Sequence, residues 1–370
     1  MDKIKRFIDC YIPTETCNLR CHYCYITQKR KFNTKLVALS HTPEEIRKAL
    51  SRNRLGGVCL INMCAGGETL LSHDILPVIQ KLLCEGHYVS VVTNGTLTQR
   101  FHEIAGWPEE LLRHLFFKFS FHYLELKRRE WIDKFFENVY SVRDAGASFT
   151  VEITPSDELI PYIDEVKKTC YEYLGTLCHV TIARDDRTDG IDILSCHPLD
   201  EYKKIWGQFV SPLFDFKTTI FYKKRKEFCY AGDWSLNLNL ETGRVAQCYR
   251  CKELDNIYRS PDELLRVGAV GYNCPLPHCY NGHALIALGV IPELEAPTYA
   301  EERNRICIDG TEWLQPEMKA FMSSKLYESN KEYSKLRKMM IILKSRVARV
   351  SVLKTRVWEI LRRIKIWQQD

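Results

Sequence analysis

The stretch TETCNLRCHYCY holds Cys17, Cys21 and Cys24 within eight positions, spaced C-x3-C-x2-C. Thiolates bind zinc or iron–sulfur clusters, and spacing this close lets one loop turn several sulfurs onto a single centre. Three protein ligands are one short of a closed four-ligand site. His22 stands between two of the cysteines and is a weak choice for the fourth ligand of a zinc. The incomplete set points instead to a [4Fe–4S] cluster with one iron open to an outside ligand. Downstream, MCAGGETLL places Gly66, Gly67 and Glu68 just beyond an apolar run. Glycines there permit close backbone approach, and exposed peptide groups can engage a polar ligand.

The chain carries sixteen cysteines in 370 residues. Its N-terminus, MDKIKRFIDCYI, lacks the long apolar region and cleavage site of a signal peptide. No apolar run approaches the roughly 18–20 residues of a membrane span. A cytoplasmic protein is therefore expected, and a reducing cytosol turns dense cysteine toward metal rather than disulfides. Cys229, Cys248, Cys251, Cys274 and Cys279 form a second group. The remaining eight read by default as buried small hydrophobes.

Elements must bring these residues together. Residues 5–190 alternate strand-like segments (6–12, 57–63, 88–93, 116–122, 149–154, 178–183) with helical patterns near 43–54, 74–86, 108–114, 127–145 and 156–173. Thr42, Pro43 and Glu45 predict a capped helix start. The alternation predicts an α/β fold, a parallel sheet or partial barrel, with its chemistry at the C-terminal ends of the strands. The cysteine trio follows the first strand and Gly66–Glu68 the second. Beyond a looser stretch, SLNLNL alternates with period two, ETG offers a turn and RVAQCY can return as a partner strand. The predicted organisation is a core at 1–195, a connector at 196–228, a cysteine-rich module at 229–315 and a helical tail at 316–370.

CNLRCHYC followed by GGE resembles the radical S-adenosylmethionine (SAM) superfamily over roughly residues 5–190. The first run matches that family's cluster motif, with Tyr23 as the aromatic before the last cysteine, and the second its methionine-binding motif. Thr69 departs from the proline that many members carry after GGE; because the backbone makes the contact, the change is expected to be tolerated. The resemblance implies a partial (β/α)6 TIM-like barrel. It also implies a radical SAM enzyme of oxidoreductase or epimerase type, in which SAM chelates the open iron. One electron, from a reductant such as flavodoxin or ferredoxin, would cleave SAM to methionine and a 5′-deoxyadenosyl radical that abstracts hydrogen. By position Tyr23 would lie beside the adenine, while Ser120, Glu152 and Arg184 could reach the ribose or carboxylate. Asn94 sits at the tip of strand three. Plainer roles compete: Asn94-Gly95 makes a good turn, Glu152 could be a solvated strand residue, and Arg184 could pair with Asp185 or Asp186. Cys64, two residues before GGE, could donate hydrogen to a product radical.

CYAGDWSLNLNLETGRVAQC resembles the start of the SPASM/twitch extension of such enzymes. This implies one auxiliary [4Fe–4S] cluster held by Cys229, Cys248, Cys274 and Cys279, with Cys251 as the alternate. A structural zinc site built from the same residues is the rival. The later part, CPLPHC, departs from the full SPASM pattern and leaves no ligands for a further cluster. Tyr280 and His283 follow this motif and could line a substrate cavity, with loop packing the plainer role.

The net charge is +6, yet residues 331–370 carry twelve Lys/Arg against three Asp/Glu, so the rest of the chain is slightly acidic. From Leu336 to Ile364 apolar residues recur every three or four positions, which predicts an amphipathic basic helix. It could pack on the core, join two chains or lie on an anionic membrane surface, and Trp358 and Trp367 favour the last. No nucleic-acid motif accompanies the charge. A chain that starts directly on strand one, without a domain to grasp a leader peptide, moves the expected substrate toward a small molecule or glycan, including a lipid-linked one. Dehydrogenation or epimerisation of a carbohydrate carbon is the leading expectation. A peptide- or protein-modifying maturase is the alternative, and a non-catalytic iron–sulfur scaffold the second.

Overall fold

A computed structural model describes residues 2–36, 38–272 and 274–343. Six parallel strands run in chain order: β1 (Arg6–Ile12), β2 (Cys59–Ala65), β3 (Tyr88–Thr93), β4 (Leu115–Ser120), β5 (Ser148–Ile153) and β6 (His179–Val180). A two-stranded ribbon, β7 (Arg184–Asp185) and β8 (Asp192–Ile193), follows. β9 (Ser235–Asn239), β10 (Arg244–Ala246) and β11 (Glu253–Asn256) then join the main sheet, whose order is β11-β10-β9-β1-β2-β3-β4-β5-β6. The fold is α/β with a central mixed sheet.

Both sheet faces are covered, which is why the strands read as nearly continuous apolar runs. On one face Ile8, Cys10, Ile61, Val89 and Phe117 pack with the crossover helices into the larger core. On the other, Phe7, Leu60, Tyr88 and Phe116 meet the segment 284–291 and the helix Pro316–Ser323. That second face turns polar toward the strand ends. There Asn62 donates from Nδ2 to Asp9 at 2.8 Å and accepts from the Ser90 hydroxyl at 2.9 Å.

Several boundaries differ from expectation for local reasons. β2 begins and ends two residues late, because Cys64 and Ala65 continue the register opposite Tyr11 and Ile12. Gly56 and Gly57, both at positive φ, occupy its expected start. β6 is reduced to two residues, His179 and Val180, and the ladder ends on the Thr181 amide, which donates to the Ile153 carbonyl at 2.9 Å. The helical stretch at 127–145 is two helices, Tyr123–Arg128 and Ile132–Asp144, broken where Glu130 takes a φ of 58°. A helix at Thr98–Ala105 was not anticipated. The expected cap forms: the Glu45 amide donates to the Thr42 hydroxyl at 3.2 Å and the Thr42 amide to the Glu45 carboxylate at 2.8 Å.

The expected hairpin is present as β9–β10, and it is not freestanding. β9 pairs in parallel with β1, from Phe7 opposite Ser235 to Tyr11 opposite Asn239. Residues 335–343 are helical, with Ile341 packed against the inner core. The basic helix expected through Ile364 otherwise lies outside the described residues. Among the described residues no helix is long and apolar enough to cross a membrane.

Candidate functional site

A cleft of about 270 Å³ opens at the C-terminal ends of β1 to β6. Cys17, Cys21, Tyr23 and Cys24 form one wall, Cys64 and Gly66–Glu68 the next, then Asn94, Ser120 and Arg184. These residues come from the ends of β1, β2, β3 and β4 and from the segment after β6, and the parallel register brings them together.

All three thiols of the trio are free. All three line the same cleft. Burial pushes Cys17 up to about 11 and raises Cys21 and Cys24 as well. Thiols so desolvated become thiolates once a metal centre replaces the proton. Two donors already point at Cys17 Sγ: the Leu19 amide at 3.5 Å and Asn94 Nδ2 at 3.7 Å. Asn94 is fixed by donating to Asn18 at 2.7 Å and accepting from the Thr96 amide and hydroxyl. Its role in this structure is beside the cysteine loop.

The GGE segment extends the β1–β2 ladder past the strand ends. The amides of Gly66, Gly67 and Glu68 donate in turn to the carbonyls of Ile12, Thr14 and Thr16. Of the peptide groups expected to engage a ligand, the three N–H groups are thus used within the fold, and Gly66 O accepts from the Tyr25 hydroxyl. A Cβ at Gly67 would lie 2.0 Å from Thr16 O, and one at Gly66 2.7 Å from Thr14 O. Both glycines are thus required by the approach of the cysteine loop. The Glu68 carboxylate is buried and accepts from the Thr93 hydroxyl (2.7 Å) and the amides of Asn94 (2.7 Å) and Leu70 (3.0 Å). Burial raises its pKa against those donors. Glu68 acts as a tie between the β2 and β3 ends.

The remaining expected residues divide. The Tyr23 hydroxyl and His122 Nδ1 share a hydrogen bond at 2.6 Å, and both residues line the cleft. Ser120 lines it, and its hydroxyl has no hydrogen-bond partner among the described residues. Arg184 donates to the Tyr280 carbonyl at 2.7 Å and leaves Asp185 to Arg187 and Asp186 to Lys29. The Cys64 thiol, raised to about 11 by burial, lies near Asp9 and Lys118. Glu152 is the exception: absent from the cleft wall, it is ion-paired with Arg303, which keeps its carboxyl below the usual range despite burial. The expectation that Glu152 reaches SAM is corrected accordingly. His122 and Thr154, cleft residues the sequence reading missed, continue the period-two faces of β4 and β5 past Ser120 and Glu152. Extending that alternation by two positions would have found them.

The second cysteine group also gathers. Cys229 feels Cys279, Cys274 and Cys251, and Cys248 feels Cys279, Cys229 and Cys251. Cys251 shares a hydrogen bond with Cys248 that lowers its own pKa. Cys229 is held by paired backbone bonds to Gly271, and Lys224 donates to the carbonyls of Cys274 and Leu276. Among the described residues, the one group of three side chains close enough for a single small ion is Asp157, Cys196 and His197. Asp157 there already accepts from Ser195 and the Cys196 amide at 2.7 Å.

Residues 11–155 match the family model described as the radical SAM superfamily. The 7-carboxy-7-deazaguanine synthase of Aquifex aeolicus is 29% identical over 101 residues, which is 27% of this chain and 38% of that one. A probable GTP 3′,8-cyclase of Methanococcus vannielii is 34% identical over 88 residues, 24% of this chain and 28% of its own. The chain thus matches well under half the length of these curated relatives. Among solved structures, Streptococcus suis SuiB bound to S-adenosylmethionine is 14% identical, with a TM-score of 0.48 over 74% of this chain and 67% of that one. Native anSMEcpe with bound AdoMet is 15% identical, with a TM-score of 0.44 over 69% and 79%.

Proposed function

From a chain whose residues 11–155 carry the radical SAM core, we propose an enzyme that cleaves SAM reductively and abstracts hydrogen from a carbohydrate carbon, leading to dehydrogenation or epimerisation. The observation that carries the radical SAM reading is the convergence of Cys17, Cys21 and Cys24 with the GGE segment on one cleft. The donor set fits the group: three free thiols share one cleft wall, with two N–H donors aimed at Cys17 Sγ. A single zinc with Zn–S bonds of about 2.3 Å needs sulfurs roughly 3.8 Å apart, and among the described residues no three cysteines lie within 4.8 Å of one another. Cys17, Cys21 and Cys24 would hold a [4Fe–4S] cluster, which would supply the electron for cleavage of SAM to methionine and the 5′-deoxyadenosyl radical.

The chain's own residues do the positioning. Asn94 and the Leu19 amide direct N–H groups at Cys17, and Glu68 ties the GGE segment to the end of β3. Tyr23 and His122 wall the side where the adenine would stack, and Ser120 and Arg184 offer polar contacts to the ribose and carboxylate. Cys64, on the cleft wall, would return a hydrogen atom to a product radical. Ser120, whose hydroxyl has no hydrogen-bond partner among the described residues, is the cleft-wall group open to a hydroxyl-rich ligand. The partial barrel is the architecture that such a cleft implies.

By the same spacing argument, Cys229, Cys248, Cys274 and Cys279, with Cys251 as alternate, would hold an auxiliary [4Fe–4S] cluster that takes up the substrate's second electron. A flavodoxin or ferredoxin would reduce the first cluster, and the basic tail would bring the enzyme to a membrane bearing lipid-linked glycans. The test is anaerobic reconstitution with iron and sulfide, followed by SAM and reductant. The expected result is about eight irons with 5′-deoxyadenosine released. Cys17→Ala should abolish release, while Cys248→Ala should lower iron to about four and keep it. No deoxyadenosine from a fully loaded protein, with sugars present, overturns the reading.

A further inference from the structure

Asp157, Cys196 and His197 belong to neither cysteine group, and none of them lines the cleft. Each offers a donor atom within 4.8 Å of the other two, and no other trio of His, Cys, Asp or Glu side chains gathers so closely among the described residues. Two segments build the group. Asp157 opens the short helical segment Asp157–Tyr162 after β5. Cys196 and His197 follow β8 and precede the helix Leu199–Gly207.

The chain at Ser195–His197 folds around the Asp157 carboxylate. The Ser195 hydroxyl donates to Oδ1 and the Cys196 amide to Oδ2, both at 2.7 Å, and the His197 amide donates to Ser195 Oγ at 3.1 Å. These bonds fix the loop and use one acceptor site on each oxygen. A carboxylate has about four such sites, so each oxygen keeps a lone pair. Glu201, one helical turn beyond His197, sets a carboxylate oxygen 3.3 Å from the ring Nδ1. Among the described residues neither Asp157 nor Glu201 meets a Lys or Arg. The Cys196 thiol is free and exposed, so ions in solvent reach the group.

We propose that Asp157, Cys196 and His197 bind a single zinc ion, with Glu201 holding the imidazole ring and water in the fourth position. The donor set selects the metal. Calcium and magnesium take oxygen ligands, whereas thiolate and imidazole together suit zinc. An iron–sulfur cluster is held chiefly by thiolates and finds one here. A carboxylate beside a ligating imidazole is its usual outer partner. As the ion binds, the Cys196 thiol releases its proton to water. The place of the site gives it a consequence. Ser156 and Glu158, on either side of Asp157, meet His22 Nε2 at 3.2 and 2.7 Å, and His22 belongs to the first cysteine loop. The Leu194 amide, two residues before Cys196, donates at 2.9 Å to the carbonyl of Ala183, a cleft residue. One ion would therefore pin the segment after β5 to the connector and steady both the cysteine loop and that cleft wall. The inference does not rest on the radical SAM reading.

The experiment takes the full-length protein with its clusters reconstituted, strips loosely held metal with a chelator and titrates in Zn2+ anaerobically. Zinc retained per chain is counted beside iron, and X-ray absorption at the zinc edge reads its ligands. The expected result is one zinc with one sulfur at about 2.3 Å and its other ligands, nitrogen or oxygen, at about 2.0–2.2 Å. Cys196→Ser should remove the sulfur, and both Cys196→Ser and His197→Ala should weaken binding by more than about 100-fold, whereas Glu201→Gln should cost about 10–100-fold. Iron should be unchanged in all three, since the substituted residues are exposed or half-buried. Cys84→Ser, at another exposed thiol, should leave zinc as it was. No zinc retained, a zinc ringed by three or four sulfurs (which would place it in the cysteine groups), or undiminished affinity in Cys196→Ser and His197→Ala overturns the proposal. Undiminished affinity in Glu201→Gln removes that carboxylate from the site. Zinc bound as expected in a protein that releases no 5′-deoxyadenosine keeps the site and sinks only the radical SAM reading.

Discussion

Glu68 shows how a residue type can be legible while its work is not. GGE is conspicuous as a motif, yet the Glu68 carboxylate accepts three hydrogen bonds from Thr93, Asn94 and Leu70, and none of those donors is near it in a way the motif reveals. Every donor points at an oxygen, so both oxygens must accept. Glu68→Gln replaces one acceptor with an NH2 that faces a donor. The expected destabilisation is about 1–3 kcal/mol, the penalty for an unsatisfied buried group, and it should appear in the urea midpoint together with weakened SAM binding. An unchanged midpoint would mean that the carboxylate's bonds do not hold the β2 and β3 ends together. Glu152 was read less well: strand position predicted its face, but its partner Arg303 lies 151 residues away, and no local pattern announces an ion pair across that distance.

At the scale of elements, the cysteine loop and the GGE segment are one construction. Their amide–carbonyl ladder continues β1–β2 pairing beyond the strands, and it closes only if residue 67 has no side chain. Gly67→Ala would set a Cβ 2.0 Å from the Thr16 carbonyl oxygen, far inside any tolerated contact. That variant should lose the iron of the first cluster and SAM binding together, while keeping the far-ultraviolet signature of the fold. Gly207→Ala is the control. It closes the helix Leu199–Gly207 with nothing within 4 Å of the added carbon, and it should be neutral or stabilising by about 0.5–1 kcal/mol. Equal iron content in both variants would remove the steric argument. The alternation of strands and helices was legible because each strand is bracketed by helical periodicity. The parallel docking of β9 onto β1 was not, since period-two alternation fixes which residues share a face and says nothing about which strand lies alongside.

The whole molecule is held across its layers by buried neutral histidines, which the sequence offered no means to separate from surface ones. His87 accepts from the Cys59 amide at 3.1 Å and donates to the Leu50 carbonyl at 2.8 Å, tying β2 to the helix Pro43–Ala49 at its C-cap. His179 on β6 meets the Ser211 hydroxyl and the Asn304 carbonyl, both at 3.2 Å, and so joins sheet, connector and C-terminal segment. Each ring uses one nitrogen as donor and the other as acceptor, the pattern of neutral imidazole. Burial lowers both pKa values, and at His179 Arg305 and Arg303 lower it further. The sign of the pH dependence follows. An unfolded histidine takes up its proton near pH 6.5, whereas these two stay neutral in the fold until lower pH. Below about 6.5 the unfolded chain therefore binds more protons, and stability present above that pH is lost as pH falls toward the folded values. Each histidine contributes a slope of up to about 1.4 kcal/mol per pH unit within that window. Anaerobic urea midpoints at pH 7.5, 6.5 and 5.5 (values chosen to bracket about pH 6.5) should fall steadily in the wild type and less steeply in His87→Gln. A slope that His87→Gln leaves unchanged would show that His87 is not a neutral tie, and would shift the acid sensitivity of the fold onto His179 and the cluster loops.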